Sequence, residues 1–161
     1  MSHFALVVPF PELSAVVDEW RERTCAAKPS HGLPPHVTLV VPSAHDVEAI
    51  ADVLRRFRPF DVAFTKVDRF PGTVWLAPEP AAPFRRMTEA LTARFPEHPP
   101  YGGIFSKVVP HLTVAQSELD TAAAELRNVL PLTTRARSAL LLEKTKADEW
   151  RSVETFPFEA V

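Results

Sequence analysis

Pro35-His36-Val37-Thr38-Leu39-Val40 returns later in the chain as Pro110-His111-Leu112-Thr113-Val114-Ala115. The two histidines stand 75 residues apart, close to half of a chain of 161 residues. Each copy reads as a short strand opened by proline, and each is followed by apolar residues at helical spacing. After the first come Val47, Ile50, Ala51, Leu54 and Phe57; after the second come Leu119, Ala122, Ala123, Leu126 and Val129. Two such strand–helix units predict a single domain over residues 1–161 made of two pseudo-symmetric lobes. A solenoid would need three or more stacked repeats.

Outward from the repeat, Phe4–Val8 reads as a strand closed by Pro9, and Leu13, Val16, Val17 and Trp20 as a helix face. Asp61–Phe70 and Thr73–Ala77 form a hairpin around Pro71–Gly72. Phe84, Met87, Leu91 and Phe95 give a further helix. Thr134–Glu143 and Trp150–Phe158 read as a closing hairpin turning near Ala147–Asp148. Ser43 with Asp46, and Ser117 with Asp120, have the spacing of helix-capping pairs. Strands and helices alternate, but hairpins join several strands directly. That predicts an α+β fold of largely antiparallel sheets rather than a doubly wound parallel one.

Composition narrows the function. Hydrophobic residues are 46% and charged residues 24%, ordinary globular values that set disorder aside. Lys plus Arg is 18 against 20 for Asp plus Glu, a formal charge of −2. That balance argues against an extended nucleic-acid groove, which needs phosphate neutralisation, and leaves room for a small phosphate-bearing ligand. Cys25 is the one cysteine, so no internal disulfide forms. No secretory pattern opens the chain, and no apolar run approaches the ~20 residues of a membrane span. A cytoplasmic, membrane-free monomer is expected. Prolines number 17 and glycines 4, so the pair Gly102–Gly103 stands out.

On a strand, residues i and i+2 share a face. His36 and Thr38 therefore point together while Val37 and Leu39 point away, and His111 and Thr113 repeat this against Leu112 and Val114. If the units face each other, the site holds two imidazoles and two hydroxyls. Near neutral pH one imidazole can take a proton while the other gives one. That suits in-line cleavage of a phosphodiester, with the threonines donating to the non-bridging oxygens. The scheme needs no metal and no cofactor.

At these residues the chain resembles the 2H phosphoesterase superfamily, and within it the 2′-5′ RNA ligase-like branch. Leu33-Pro-Pro-His-Val-Thr-Leu39, Tyr101-Gly-Gly103, Val109-Pro-His-Leu-Thr-Val114 and the ending Leu140-Leu-Leu-Glu-Lys144, with Trp150 and Phe156, carry the likeness. The resemblance implies a bilobed fold, two antiparallel sheets lining a central cleft with helices outside. It implies His36 and His111 as the acid/base pair and Thr38 and Thr113 as phosphate-binding hydroxyls. Family activities include opening 2′,3′-cyclic phosphates and ATP-independent 2′-5′ joining of RNA ends. Without arginine-rich surface runs, cyclic phosphodiester hydrolysis is expected ahead of joining, on a nucleotide or RNA-end phosphate. The rival from another class is a non-catalytic nucleotide-phosphate binding module.

Other residues carry weaker signals. Phe70, Trp75, Tyr101 and Phe105 are candidates for stacking on a base. Tyr101, beside the glycine pair, leads them, while Phe70 and Phe105 read better as core. His3, His31, His45 and His98 lack the repeated context, and Lys107 and Lys144 read as surface lysines able to counter phosphate. Cys25 lies off its helix's apolar stripe with no activating neighbour. No spacing suggests a zinc site.

Overall fold

The computed structural model describes residues 3–42, 46–96 and 108–161. β1 (His3–Pro9) passes through a 3-10 turn into α1 (Ser14–Thr24), then β2 (His36–Val40) and α2 (Val47–Leu54). β3 (Phe60–Phe70) and β4 (Thr73–Glu79) form the expected hairpin, followed by α3 (Ala82–Arg94), β5 (Leu112–Ala115) and α4 (Leu119–Arg127). β6 (Leu132–Ala136), β7 (Ser138–Lys144) and β8 (Trp150–Pro157) close the chain. The strands make two four-stranded antiparallel sheets, ordered β2-β1-β7-β8 and β5-β4-β3-β6. The fold is α+β.

The halves share an order of elements. β1-α1-β2-α2 matches β4-α3-β5-α4, with β2 and β5 each on a sheet edge. The helices cross over: α1 packs against β5 and α3 against β2. One hydrophobic core spans both sheets, taking Leu6, Val8 and Phe10 from one side and Val62, Phe64 and Leu76 from the other. The rings of Phe10 and Phe64 meet edge-on at 5.4 Å. Val7, Leu33 and Leu142, with Trp150 against them, form a smaller cluster on the opposite face of the first sheet.

The segment before β2 is held down onto this smaller cluster. Gly32 takes φ +90, and a Cβ there would meet the Trp150 carbonyl oxygen at 2.3 Å, so only glycine seats the loop.

Two local expectations are corrected. Thr134–Glu143 is not one strand: it breaks at Arg137, leaving β6 on β3 and β7 on β1, so the chain steps from one sheet to the other. Ala136 pairs with Phe60 in one sheet, and Ala139 pairs with Phe156 in the other. Ser117 does not cap α4 either. The N-cap is Glu118, in the left-handed region with φ 53, and Asp120 pairs instead with Arg69 at 2.8 Å. Asp46 does cap α2, accepting from the Ala49 amide at 3.1 Å; Ser43 lies outside the described residues. Among the described residues, no helix is long and apolar enough to cross a membrane.

Candidate functional site

The two motif strands are built alike to a degree that the sequence repeat only hints at. Val37, Leu39, Leu112 and Val114 are buried in the core, while His36, Thr38, His111 and Thr113 are part-exposed on the other face. Thr38 lies opposite Val7 of β1, and Thr113 opposite Trp75 of β4. Both strands bulge at the same step. Leu39 has no opposite number between the pairs Val7–Thr38 and Leu6–Val40, nor has Val114 between Trp75–Thr113 and Val74–Ala115. A bulge takes a residue out of the ladder and turns the strand.

Helices crossing from the other half satisfy the carbonyls of both bulged residues. The buried hydroxyl of Thr88, in α3, donates to Leu39 O at 3.0 Å. The buried thiol of Cys25, just past α1, reaches Val114 O at 3.4 Å. This corrects the reading of Cys25 as off the packed face. Burial pushes its thiol pKa up, so it acts as a small buried donor rather than a nucleophile.

The imidazoles are oriented by the same device twice. His36 Nδ1 lies 2.7 Å from Pro34 O, and His111 Nδ1 lies 2.7 Å from Val109 O. A carbonyl can only accept, so each Nδ1 carries the hydrogen and each Nε2 holds the lone pair available to a ligand. β2 and β5 pack against each other, and a charge on His111 is felt at His36 as repulsion. Burial pulls the His36 pKa down to about 4, opposed by the Pro34 hydrogen bond and reinforced by Arg21 and His111. Burial likewise lowers His111, against the opposing Val109 hydrogen bond.

The structure brings Phe70 and Trp75 to this site. Their rings stand 5.0 and 5.7 Å from the His111 ring, and 4.8 Å from each other. Phe70 belongs to neither hydrophobic cluster, which corrects its reading as core. The indole N–H of Trp75 is buried and has no hydrogen-bond partner among the described residues.

Lys144 is not at the site. It pairs with Asp148 at 3.3 Å and lies opposite His3, at the far end of the first sheet from the Pro9–His36 pair. His31 sits in a 3-10 turn of the loop before β2. Tyr101, Gly102, Gly103, Phe105, Lys107, His45 and His98 lie outside the described residues.

Sequence reasoning passed over Arg21. It is 2% exposed, paired with Asp18 at 2.6 Å, and bonded to the carbonyls of Leu33 and Pro34 at 2.8 and 3.2 Å. The signal was an arginine four residues after Val17, on the apolar stripe, with an aspartate three before it.

Among the described residues, no group of three or more His, Cys, Asp or Glu side chains is placed to hold a metal ion. A groove of about 780 Å³ lies elsewhere, lined by Glu12, Asp61, Glu79, Thr134, Arg135 and Arg137 with no motif residue. Its charged walls engage one another, as Arg135 does with Asp61 at 2.7 Å and Thr134 with Glu12.

The duplicated His-x-Thr thus stands on two edge strands, one from each sheet, that pack against each other, with both rings tied back through Nδ1. The 2′-5′ RNA ligase superfamily matches residues 9–150, and the chain belongs to that superfamily. In fold it is similar to TT0787 of Thermus thermophilus, with a TM-score of 0.68, 18% identity and 99% of each chain covered. It is similar too to E. coli LigT, seen in complex with NADP+ (TM-score 0.64, 16% identity, 98% of each chain). The 3′-AMP complex of LigT gives a TM-score of 0.61 at 15% identity, again over 98% of each chain. No curated protein matches the sequence.

Proposed function

We propose that the protein is a metal-independent cyclic phosphodiesterase acting on the 2′,3′-cyclic phosphate of a nucleotide or an RNA end. The matched hydrogen bonds of His36 to Pro34 and His111 to Val109 carry the reading. They fix both tautomers, so two Nε2 atoms are available for proton transfer, one as acceptor and one, once protonated, as donor. One imidazole takes a proton from water as its oxygen attacks phosphorus. The bond to the bridging oxygen in line with it breaks, and the other imidazole delivers a proton to that oxygen. Water and cyclic diester thus become a phosphomonoester and a free hydroxyl. The hydroxyls of Thr38 and Thr113, two positions beyond each imidazole on the same face, donate to the non-bridging oxygens. Tyr101 is the proposed contact to the base. The nucleotide complexes of LigT support a nucleotide-sized substrate.

Joining of RNA ends is the second reading, favoured by superfamily membership. It would use the same two imidazoles with a 5′-hydroxyl in place of water.

The test is turnover of 2′,3′-cyclic nucleotides in excess chelator by wild type, His36→Ala and His111→Ala. Undiminished wild-type turnover, with each variant slower by at least ~10²-fold, is the expected result. Absence of turnover on any cyclic phosphate, loss on chelation, or dependence on one histidine alone would overturn it. A 2′-5′ linked product from cyclic-phosphate and 5′-hydroxyl RNA ends would transfer the reading to joining. Tight binding without turnover would make the protein a binding module.

A further inference from the structure

A guanidinium taken out of water is tolerated only when its donors find acceptors. Arg21 has three around it. Nη1 donates to Asp18 Oδ1 at 2.6 Å, and Nη2 donates to Leu33 O at 2.8 Å and to Pro34 O at 3.2 Å. The acceptors are there because of the sequence Leu33-Pro34-Pro35, where the two prolines contribute carbonyls and no N–H. Arg21 serves the first two carbonyls, and the Phe10 amide serves the third at 2.7 Å. The Pro34 oxygen, with two lone pairs, also takes the Nδ1–H of His36 at 2.7 Å. One atom therefore joins a buried cation to a motif imidazole.

Further bonds tie the same loop to α1. Glu22 accepts from the Ser30 amide at 2.8 Å and from the Ser30 hydroxyl at 2.7 Å. The segment that delivers His36 is therefore pinned to one helix both at Ser30 and at Leu33–Pro34. Among the described residues, no arginine occupies the matching place on α3. Cys25 and Thr88 play the same role toward the two bulges, and the residue four before Thr88 is Phe84, a buried ring.

We propose that Arg21 is a positioning residue. By fixing the Leu33 and Pro34 carbonyls it sets the plane of the His36 ring and makes His36 the proton acceptor of the pair, leaving His111 to donate. The inference rests on the two-histidine reading above. Two consequences of the geometry support it. The Pro34 carbonyl holds the Nδ1–H tautomer, which leaves the Nε2 lone pair for an incoming proton, while burial and the nearby Arg21 cation oppose a second proton on the resting ring. Among the described residues, the charged or titratable groups acting on His36 are Arg21 from α1 and His111 beside β5. β1 sets Pro9 and Val7 against the motif, and α3 presents the uncharged Thr88 to β2.

Arg21→Lys and Arg21→Gln, checked for folding by circular dichroism, are compared with wild type by cyclic-nucleotide turnover across pH and by nitrogen NMR of the histidine rings. Lysine keeps the charge but not the fork. It should lower kcat roughly tenfold to a hundredfold with little change in KM, and leave the His36 titration in place. Glutamine should lower kcat as well, and should move the His36 titration and the ascending limb of the rate profile to higher pH. If glutamine does not fold, the kcat-against-KM split in the lysine variant decides. Wild-type kcat, pH limbs and ring signals in the folded variants would overturn the proposal, as would a loss confined to KM. If wild type turns over no cyclic phosphate, the two-histidine reading falls. The ring signals then still decide on Arg21, since an unchanged tautomer and titration in both variants would show that it does not hold His36.

Discussion

The ring of Phe70 stands edge-on to the imidazole of His111, with centroids 5.0 Å apart and planes at 87°. Phe70 is the last residue of β3, immediately before the Pro71–Gly72 turn, so the hairpin end forms one wall around the second motif. Trp75, opposite Thr113, supplies another. Aromatic walls on two sides limit ring rotation at His111. At His36 the comparable constraint comes from a carbonyl clamped by arginine. Among the described residues, the two motifs are alike in backbone and different in surroundings.

Phe70→Ala should lower kcat roughly tenfold while leaving the folded state little destabilised, because the ring is part-buried and outside the main core. Phe70→Tyr, which keeps the ring, should retain most activity. Steady-state kinetics with thermal unfolding of the same samples checks both. Equal activity in the alanine variant would remove Phe70 from the site.

The rate should depend on pH as a bell. kcat/KM reports the free enzyme, where burial lowers both imidazoles, His36 to about 4 and His111 below 6.5. Its optimum should therefore lie below pH 6.5. A bound phosphate anion favours imidazolium, so both limbs of the kcat profile should move to higher pH. The limbs belong to the pair as macroscopic values. A descending limb of kcat/KM well above neutral pH would contradict the burial of these rings.

Stability should respond to acid through His36. Its folded pKa is depressed to about 4 from 6.5, so between those values the unfolded chain binds more protons than the folded one. The contribution is constant above pH 6.5 and is lost as pH falls through the window, with a slope of at most about 1.4 kcal/mol per pH unit. His36→Gln should flatten this part of the curve. Urea titrations at several pH values, comparing the two proteins, measure it.

Thr88→Val should cost about 1–3 kcal/mol, since it keeps the shape and strands the Leu39 carbonyl at a buried bulge. Cys25→Ser, replacing one small donor with another toward Val114 O, should cost less. Denaturant unfolding of both variants gives the comparison. A neutral Thr88→Val would mean that the bulge carbonyl finds another donor.

Much of this was legible in the residues. Alternation of His36 and Thr38 with Val37 and Leu39 gave the faces of β2, and the repeat gave β5. Direct hairpins gave antiparallel sheets, whereas α2 starts later than a Ser43–Asp46 capping pair implies, with Asp46 itself as the cap. The break at Arg137 left no mark in the local pattern: each stretch beside it reads as strand, so one strand was expected. Phe70 misled because a phenylalanine at a strand end has the same local pattern in a core and beside a site.

Local periodicity and residue chemistry are properties of neighbours along the chain, and they alone determined the two His-x-Thr strands and the α+β class. What they could not contain is the partner a group meets from another element. Only the folded chain brought Arg21 of α1 onto the carbonyl that holds His36, carried Thr88 and Cys25 across to the bulges of the opposite half, and set Phe70 and Trp75 against His111. Those contacts close over long stretches of sequence. They exist because a buried donor, acceptor or charge must find its complement wherever packing places one.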